Sequence, residues 1–331
     1  MVSLDKKDIK ILVELEKNSR QPLTKIAKHI HISKQSLNYR IKKLNEKVIT
    51  HYVAILDTQK LGYTFYNLFL QLDVTYTHKE KEVIHFLRSL PEICWLVSCI
   101  GQWNLIVSIL VKDVAEFHAC LEKIYAKFSD IILKRSFFIV LEAYPCIKKY
   151  LYNEKEFPLK VAHYFGKREK ISLDKLDLKI LKQLQYDTRK RNIDIARVIG
   201  VNYVTVKNKI QKMAHKGLIQ AFTIKTNPRV YGYEWHNILL QTKPMTQQER
   251  YQFINYLKTD QNVVFIDCAI GEWDFMVDLH IKNQMQIGEI LSRWKNKFPQ
   301  VIKNYEPLMI VKEYKLTFIP DSLFTEGGYH E

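Results

Sequence analysis

The sequence predicts an α+β protein built from two copies of a two-domain unit, in which a helical domain precedes a βαββαβ domain. Three observations support this: a length of 331 residues, an internal repeat, and a change of hydrophobic period within each repeat. At roughly 100–200 residues per domain, the length indicates more than one domain. Hydrophobic residues make up 47% of the chain and aromatic residues 12%, which is enough to fill several packed cores.

The repeat is visible in the residues themselves. The segment 4–12 aligns with 173–181 at an offset of 169, and Gly101-Gln102-Trp103-Asn104 aligns with Gly271-Glu272-Trp273-Asp274 at an offset of 170. Solenoid repeats span only ~20–50 residues, so this period is too long for a solenoid. It predicts the tandem duplication of a larger unit.

The first 50 residues of each copy show helical periodicity, with apolar residues three or four positions apart over Asp5–Lys17. A tight turn is predicted at His31, where the second copy has Gly200, a residue suited to a left-handed conformation. Ser33 and its counterpart Asn202 are the expected N-caps of a third helix. Three short helices with a tight turn before the last one form a helix-turn-helix.

The rest of each copy alternates strands and helices in the order of a ferredoxin-like βαββαβ sandwich. The elements predicted in the first copy are Tyr66–Val74, Lys79–Ser89, Ile93–Ile100, Leu105–Val111, Val114–Phe128 and Ile132–Glu142. Those predicted in the second are His236–Lys243, Gln247–Leu257, Val263–Ile270, Phe275–Ile281, Gln284–Phe298 and Tyr305–Lys312. The stretch Ile49–Asp57 is predicted to be a wing or a linking strand, so the helical domain is of the winged helix-turn-helix class.

The repeat and the composition together divide the chain into six segments. They are a helix-turn-helix domain at 1–51, a ferredoxin-like domain at 52–147, a basic linker at 148–172, a second helix-turn-helix domain at 173–222, a second ferredoxin-like domain at 223–320, and a tail at 321–331.

The positive charge is concentrated in the helical domains. The chain has a net charge of +16, of which residues 1–50 and 173–222 carry +7 each, whereas 51–144 and 223–331 carry −1 each. Such concentration is typical of nucleic-acid binding, because phosphates neutralised by lysine and arginine release their counterions. Solvated charge on exposed helices is the alternative, but it does not explain the alternation.

The cysteines and the apolar runs indicate the class of protein. Cys94, Cys99, Cys120, Cys146 and Cys268 are odd in number and scattered, without the spacing of a disulfide framework or a zinc site. They are predicted to be buried thiols in a reducing cytoplasm. No apolar run reaches the ~20 residues needed to span a bilayer, and the charged N-terminus lacks a signal core. We therefore expect a cytoplasmic protein that is neither secreted nor membrane-spanning.

The motifs resemble those of the Lrp/AsnC family, the feast/famine transcriptional regulators of bacteria and archaea. The resemblance rests on Leu4-Asp5-x-x-Asp8 at the start of the first helix, Leu37-x-x-Arg40-Ile41 in the third, and the Gly-x-Trp turn. All three have counterparts in the second half, where Val206 and Lys209 replace Leu37 and Arg40. It implies double-stranded DNA as the partner, with a small molecule such as an amino acid as an effector. It implies no catalytic residue, metal or cofactor. Family members usually carry one unit per chain, whereas this chain carries two.

The recognition helices supply the predicted DNA contacts. Residues near the N-terminus of such a helix mainly read base edges, and lysines further along mainly neutralise phosphate. The outward-facing candidates are Lys34, Gln35, Ser36, Asn38, Tyr39, Arg40, Lys42 and Lys43 in the first copy, and Tyr203, Thr205, Lys207, Asn208, Lys209 and Lys212 in the second.

The Gly-x-Trp turns have two interpretations. In the family this turn lies near the effector pocket at the interface between dimers, which implies that Gly101, Gln102, Trp103 and Asn104 are effector neighbours, as are Gly271, Glu272, Trp273 and Asp274. The structural alternative is that glycine supplies a positive φ in a tight hairpin while tryptophan covers the sheet. The sequence leaves both open.

We also expect the two units to form a pseudo-dimer within one chain, with further association of chains left open. A ferredoxin-like sheet has one face without helices, and that face needs a partner. The alternating residues predicted to meet across the units are Tyr66, Leu68, Leu70 and Leu72 with His236, Ile238, Leu240 and Thr242.

The leading functional prediction is a sequence-specific DNA-binding transcriptional regulator, and two other classes stay open. Siroheme decarboxylases resemble paired Lrp-type subunits that no longer read DNA, and a fused pair would suit that arrangement. An architectural chromatin protein would bind DNA with little sequence preference. The chain contains no glycine-rich phosphate loop and no Gly-x-Ser-x-Gly or His-Glu-x-x-His motif.

Overall fold

The computed structural model describes residues 2–73, 75, 77–151 and 170–324. The greater part of the predicted basic linker, residues 152–169, lies outside this range, as does the predicted tail from residue 325. Within the described residues, no helix combines the length and the apolar character that crossing a bilayer requires.

Each unit begins with the predicted helix-turn-helix. Its helices are α1 (Lys6–Lys17), α2 (Leu23–His29) and α3 (Lys34–Lys47) in the first unit, with α6 (Lys175–Leu184), α7 (Asn192–Ile199) and α8 (Tyr203–His215) in the second. The left-handed turn is confirmed in both units, since His31 has a φ of 57° and Gly200 a φ of 73°. The N-caps are confirmed as well, because the side chains of Ser33 and Asn202 accept hydrogen bonds from backbone N–H groups of the following turn.

The remaining elements follow the βαββαβ order, each set preceded by one linking strand. In the first unit they are the linking strand β1 (Ile49–Leu56), then β2 (Thr64–Leu72), α4 (Thr77–Ser89), β3 (Ile93–Ile100), β4 (Leu105–Val111), α5 (Val114–Phe128) and β5 (Ile132–Pro145). In the second they are the linking strand β6 (Ile219–Thr226), then β7 (Glu234–Thr242), α9 (Gln247–Thr259), β8 (Val263–Gly271), β9 (Phe275–Ile281), α10 (Gln286–Lys297) and β10 (Ile302–Leu316).

The two four-stranded sheets join at both edges and close into a barrel in the order β10-β3-β4-β2-β5-β8-β9-β7. At one seam β5 pairs antiparallel with β8, and at the other β10 pairs antiparallel with β3. Closure leaves these sheets without an unpaired edge, which is otherwise a site for unwanted association. The predicted intrachain pseudo-dimer is thereby confirmed.

The prediction of which residues face the other unit was wrong. Tyr66, Leu68, Leu70 and Leu72 pack against α4 and α5 of their own unit. The residues on the opposite face of β2 and β7, such as Phe69 and Leu239, form the core between the two sheets. β2 is almost entirely buried on both faces, so hydrophobic alternation could not distinguish the helix side from the partner side.

The linking strands join the two units a second time. β1 and β6 pair antiparallel as a two-stranded ribbon, with His51 opposite Lys225 and Ile55 opposite Ala221. Each helix-turn-helix then completes its core with residues of the other unit: Ile224 packs into the first, and Ala54 and Leu56 into the second. The stretch after α3 is therefore a linking strand rather than a wing.

Candidate nucleic-acid interface

The predicted base-reading faces of α3 and α8 are turned to solvent. In α3 the apolar residues Leu37, Ile41 and Leu44 are buried, so the residues between them point outward. Those that are exposed are Lys34, Gln35, Asn38, Tyr39, Lys42 and Lys43 in α3, with Tyr203, Val204, Lys207, Asn208 and Lys212 in α8. Ser36 and Thr205 are partly buried. The structure thus brings most of the predicted set onto two open helix faces.

Arg40 and Lys209 are the exceptions, because both are engaged inside their own domains. The guanidinium of Arg40 lies 2.7 Å from a carboxylate oxygen of Asp5 and 2.7 Å from one of Asp8, the residues that form the capping box of α1. Lys209 pairs in the same way with Asp174 and Asp177 of the α6 capping box. These two residues tie the recognition helix to the first helix of its domain, and their contact with DNA stays a prediction.

These ion pairs also lower the pKa values of the two N-cap carboxylates, Asp174 and Asp5. The hydrogen bond from Lys209 holds the pKa of Asp174 below its usual value. Burial raises the pKa of Asp5, but hydrogen bonds from the α1 backbone and from Arg40 outweigh it, and the net pKa is lowered. The lowered pKa favours the ionised form of the two N-cap residues, Asp5 and Asp174, which is the form that accepts hydrogen bonds at a helix N-terminus.

The two helix-turn-helix domains contact each other through equivalent positions of the repeat, just after the first helix of each domain. Ser19 and its counterpart Thr188 approach with their hydroxyl oxygens 3.4 Å apart. Arg20 donates hydrogen bonds to the carbonyl oxygens of Thr188 and Lys190 and to the side chain of Asn192. Arg20 therefore joins the two helix-turn-helix domains directly.

The Gly-x-Trp turns pack against the other unit. A Cβ on Gly271, whose φ is +154°, would lie 2.8 Å from the carbonyl oxygen of Phe137, and one on Gly101, whose φ is +146°, would lie 2.6 Å from the side chain of Leu308. Both glycines therefore permit close approach at the seams of the barrel. Trp103 and Trp273 are buried in the core between the sheets, as the structural interpretation of the turn expects.

Of the other turn residues, two hydrogen-bond the backbone of a neighbouring strand and two are exposed. Asn104 and Asp274 accept hydrogen bonds from the backbone N–H groups of Leu72 and Thr242, so they hold neighbouring strands. Gln102 and Glu272 are exposed. The implied effector contact of these turns stays a prediction.

A cavity with mostly apolar walls and a few charged residues lies between the two sheets beneath the ribbon, and the sequence did not predict it. It has a volume of about 80 Å³ and is lined by Asn67, Trp95, Lys225, Trp235, Asp267 and Asp278 among others. The sequence contains an indication of this cavity, because Asp278 lies in the middle of β9, a strand made mostly of apolar residues. A buried carboxylate in a core strand is costly unless it has partners or a function, and that cost could have marked the site.

Comparisons with known proteins agree with the helical domains and with the duplication. Residues 4–45 and 173–214 each match the AsnC-type helix-turn-helix domain. The chain is 33% identical over 121 residues to the HTH-type transcriptional regulator Ptr1 of Methanocaldococcus jannaschii, a match that spans 36% of this chain and 80% of that protein. It is 32% identical over 124 residues to the HTH-type transcriptional regulator FL11 of Pyrococcus horikoshii, spanning 37% of this chain and 81% of FL11.

The tandem arrangement has a counterpart among solved structures. The siroheme decarboxylase NirDL superposes with a TM-score of 0.63 over 94% of this chain and 92% of that chain, at 14% identity. Its complex with an iron-uroporphyrin III analogue gives a TM-score of 0.64, again at 14% identity, over 96% of this chain and 95% of that chain. At this identity the likeness establishes a shared fold with two paired units.

Proposed function

The chain belongs to the Lrp/AsnC family, and from this premise we propose that it is a DNA-binding transcriptional regulator whose two fused units act as one pseudo-dimer. One observation carries the proposal: α3 and α8 both present open, basic faces rich in hydrogen-bonding groups, on two domains that Arg20 joins. Helix-turn-helix dimers read two half-sites through such a pair of helices. The family's named regulators at 32–33% identity support the same function.

The side chains suggest how each helix would work. Gln35 and Asn38 carry amides that can bond both edge groups of an adenine in the major groove. Val204 offers only apolar contact, for example to a thymine methyl, while Lys207 can bond guanine. Lys42, Lys43 and Lys212 would neutralise phosphate, which sets position and affinity but not sequence.

A mobility-shift assay on genomic fragments over a series of salt concentrations tests this proposal. We expect selective retention of some fragments in the presence of excess competitor DNA, with affinity falling as salt rises because counterions are released. Uniform retention of all fragments would favour an architectural protein instead. Failure to bind any fragment at low salt would refute DNA binding.

A second candidate, an enzyme that acts on a tetrapyrrole, is favoured by the likeness of nearly the whole chain to NirDL. If a tetrapyrrole were to bind in the inter-unit cavity, the charges there would oppose it. Uroporphyrin-type tetrapyrroles carry many carboxylates, whereas this cavity contains two buried aspartates and one lysine. A polyanion placed there would face like charge at low dielectric, which is strongly unfavourable.

Absorbance spectroscopy separates the two candidates. The regulator proposal predicts that the purified protein shows no porphyrin absorbance band and that added siroheme is recovered with its carboxylates intact. A bound tetrapyrrole together with loss of carbon dioxide from siroheme would establish the enzyme.

A further inference from the structure

The inter-unit cavity holds two buried carboxylates. Asp278 accepts hydrogen bonds from the side chains of Trp235 and Asn237, whereas Asp267 has few protein partners. Asp267 on β8 and Asp278 on β9 are each only 6% exposed, and both line the cavity. Asp267 receives one long hydrogen bond, 3.5 Å from the side-chain nitrogen of Asn67 to its Oδ2 atom. Its Oδ1 atom accepts no hydrogen bond from a side chain or backbone group that the structure describes. Buried polar groups usually have hydrogen-bond partners, so a carboxylate this poorly paired indicates a partner from outside the chain.

The charges in the cavity do not balance. Lys225 on the ribbon strand β6 is the lysine that lines this cavity opposite the two aspartates. No salt bridge within 4.0 Å joins Lys225 to a described carboxylate; its ammonium lies instead over the rings of Phe265 and Phe318, at 5.7 and 5.9 Å from their centroids. Lys225 is thus the one lysine among the lining residues, against two aspartates.

The walls of the cavity suit a cation. Trp95 and Trp235 stand side by side with their ring centroids 6.1 Å apart, and both line the cavity. Aromatic faces attract ammonium groups, more strongly when the site is desolvated, and Lys225 already uses two such faces. Both tryptophans are half-buried whereas the aspartates are buried, so the aromatic rings form the rim and the carboxylates the floor.

From this geometry we propose that the inter-unit cavity is a binding site for a small organic cation, an alkylammonium whose charged end lies between Asp267 and Asp278 and whose carbon chain contacts Trp95 and Trp235. Such a ligand would bring the cavity to two positive and two negative charges. Buried ion pairs are favourable only when charge and hydrogen bonds are both satisfied, and three ammonium hydrogens can reach both carboxylates. The proposal does not depend on DNA binding.

The proposed site occurs once per chain, because only the second of the two similar units carries the two aspartates. At the positions of the first unit that match Asp267, Asp278 and Trp235, the chain has Val97, Ser108 and Phe65. The first unit thus supplies an uncharged wall, and the second supplies the charged floor. We expect one cation to bind per chain.

The ionisation of the aspartates is consistent with an unfilled cation site. Burial raises the pKa of Asp278 to about 7, and burial together with the nearby Asp278 raises that of Asp267 well above its usual value. Lys225 on β6 lowers both values, while Glu313 on β10 raises that of Asp278. A bound ammonium would displace protons from this pair, so its affinity should rise between pH 6 and pH 8.

Three probes of equal length and different charge test the proposal on the full chain. Isothermal titration calorimetry is run with n-butylamine, n-butanol and butyrate, with tryptophan fluorescence as a second signal. We expect saturable binding of one n-butylamine per chain, tighter at pH 8 than at pH 6, and no saturable binding of n-butanol. Equal binding of the amine and the alcohol, preferential binding of butyrate, or no saturable amine binding from pH 6 to pH 9 would each overturn the proposal.

Isosteric variants locate the site. Asp267→Asn and Asp278→Asn keep shape while removing charge, and each should weaken n-butylamine binding about tenfold or more. Asp130→Asn, which removes an exposed carboxylate paired with Lys79 far along the chain from the cavity, is the matched control and should bind normally. Lys225→Met removes the resident ammonium and should tighten amine binding. Unchanged binding in both cavity variants would overturn the assignment, and the three-probe comparison on the unaltered protein stands even if a variant fails to fold.

Discussion

The first and second units share one fold, yet they differ at two places: the exposed faces of α3 and α8, and the wall of the inter-unit cavity. The shared positions include the capping-box ion pairs of Arg40 and Lys209, which brace each helical domain internally, and the glycines of the two turns, which lie at the seams between the units. At the open helix faces, Gln35 is matched by Val204 and Asn38 by Lys207. Duplication within one chain has thus kept the scaffold symmetric while its surfaces differ, a freedom that a homodimer lacks.

The largest expected effect is on stability, and it should differ between the two Gly-x-Trp turns. Gly271→Ala should cost about 3 kcal/mol of unfolding free energy, because its Cβ would meet the backbone carbonyl oxygen of Phe137 at 2.8 Å and the backbone is at positive φ. Gly101→Ala should cost less, since its nearest neighbour is the movable end of Leu308. Chemical denaturation measures both.

Gly288→Ala is the matched control for the turn variants. Gly288 lies within α10, and nothing stands within 4 Å of an added Cβ. Alanine should therefore stabilise this helix by about 0.5–1 kcal/mol. A cost at Gly101 equal to or greater than that at Gly271 would contradict the packing described for the two seams.

The second prediction concerns the unequal helices. Gln35→Ala should cost about 1–3 kcal/mol of binding on the preferred DNA site, because a bidentate contact to a base would be lost. Val204→Ala removes only apolar contact and should cost less than about 1 kcal/mol. Fluorescence anisotropy with the preferred and a scrambled duplex measures both variants. Equal losses on the two duplexes would rule out base reading by Gln35.

The third prediction compares the two capping-box ion pairs. Lys209→Met should lower stability by about 1 kcal/mol at pH 7, within the usual range for a partly exposed pair. The pKa of Asp174 is lowered in the folded state, so the stabilisation is complete above the unfolded-state value of about 4 and is lost as the pH falls below it.

Denaturation of the variant and the unaltered protein from pH 3 to pH 7 measures this dependence. The two stability curves should converge at the acid end. A difference that stays constant with pH would show that Lys209 acts through packing rather than through charge. Arg40→Met should behave in the same way in the first domain.

The smallest expected effect is on salt dependence. Lys43 lies over the ring of Tyr39, 4.6 Å from its centroid, and both are exposed on α3. Lys43→Ala should weaken binding to all duplexes alike and reduce the slope of log K against log salt by about one unit. Lys212→Ala is the equivalent change on α8. An unchanged slope for both variants would show that neither lysine contacts phosphate.

Local patterns predicted most of the elements. β3, β4 and α5 have the predicted bounds Ile93–Ile100, Leu105–Val111 and Val114–Phe128, because turns and amphipathic periodicity define them locally. The strand predicted as Tyr305–Lys312 instead runs from Ile302 to Leu316, since it pairs along its length with β7 and then with β3 of the other unit. Such pairing is non-local, and no window of sequence reveals it.

The candidate site was predictable to a similar extent. The exposed faces of α3 and α8 followed from the burial of every third or fourth residue. The ion pairs of Arg40 and Lys209 did not, because they join residues 32–35 positions apart across two helices. The charge imbalance around Asp267 and Asp278 depends on how two sheets meet, so only the folded chain displays it.

Selection of binding sites from a random DNA library tests the central claim most directly, because it reads out both helices at once. We expect an enriched motif of two half-sites that differ in sequence, spaced by about one helical turn or a multiple of it. We also expect that exchanging the outward residues of α3 and α8 reverses the orientation of the motif. A clean palindrome selected by a monomeric chain, or no enriched motif at any salt concentration, would contradict this claim.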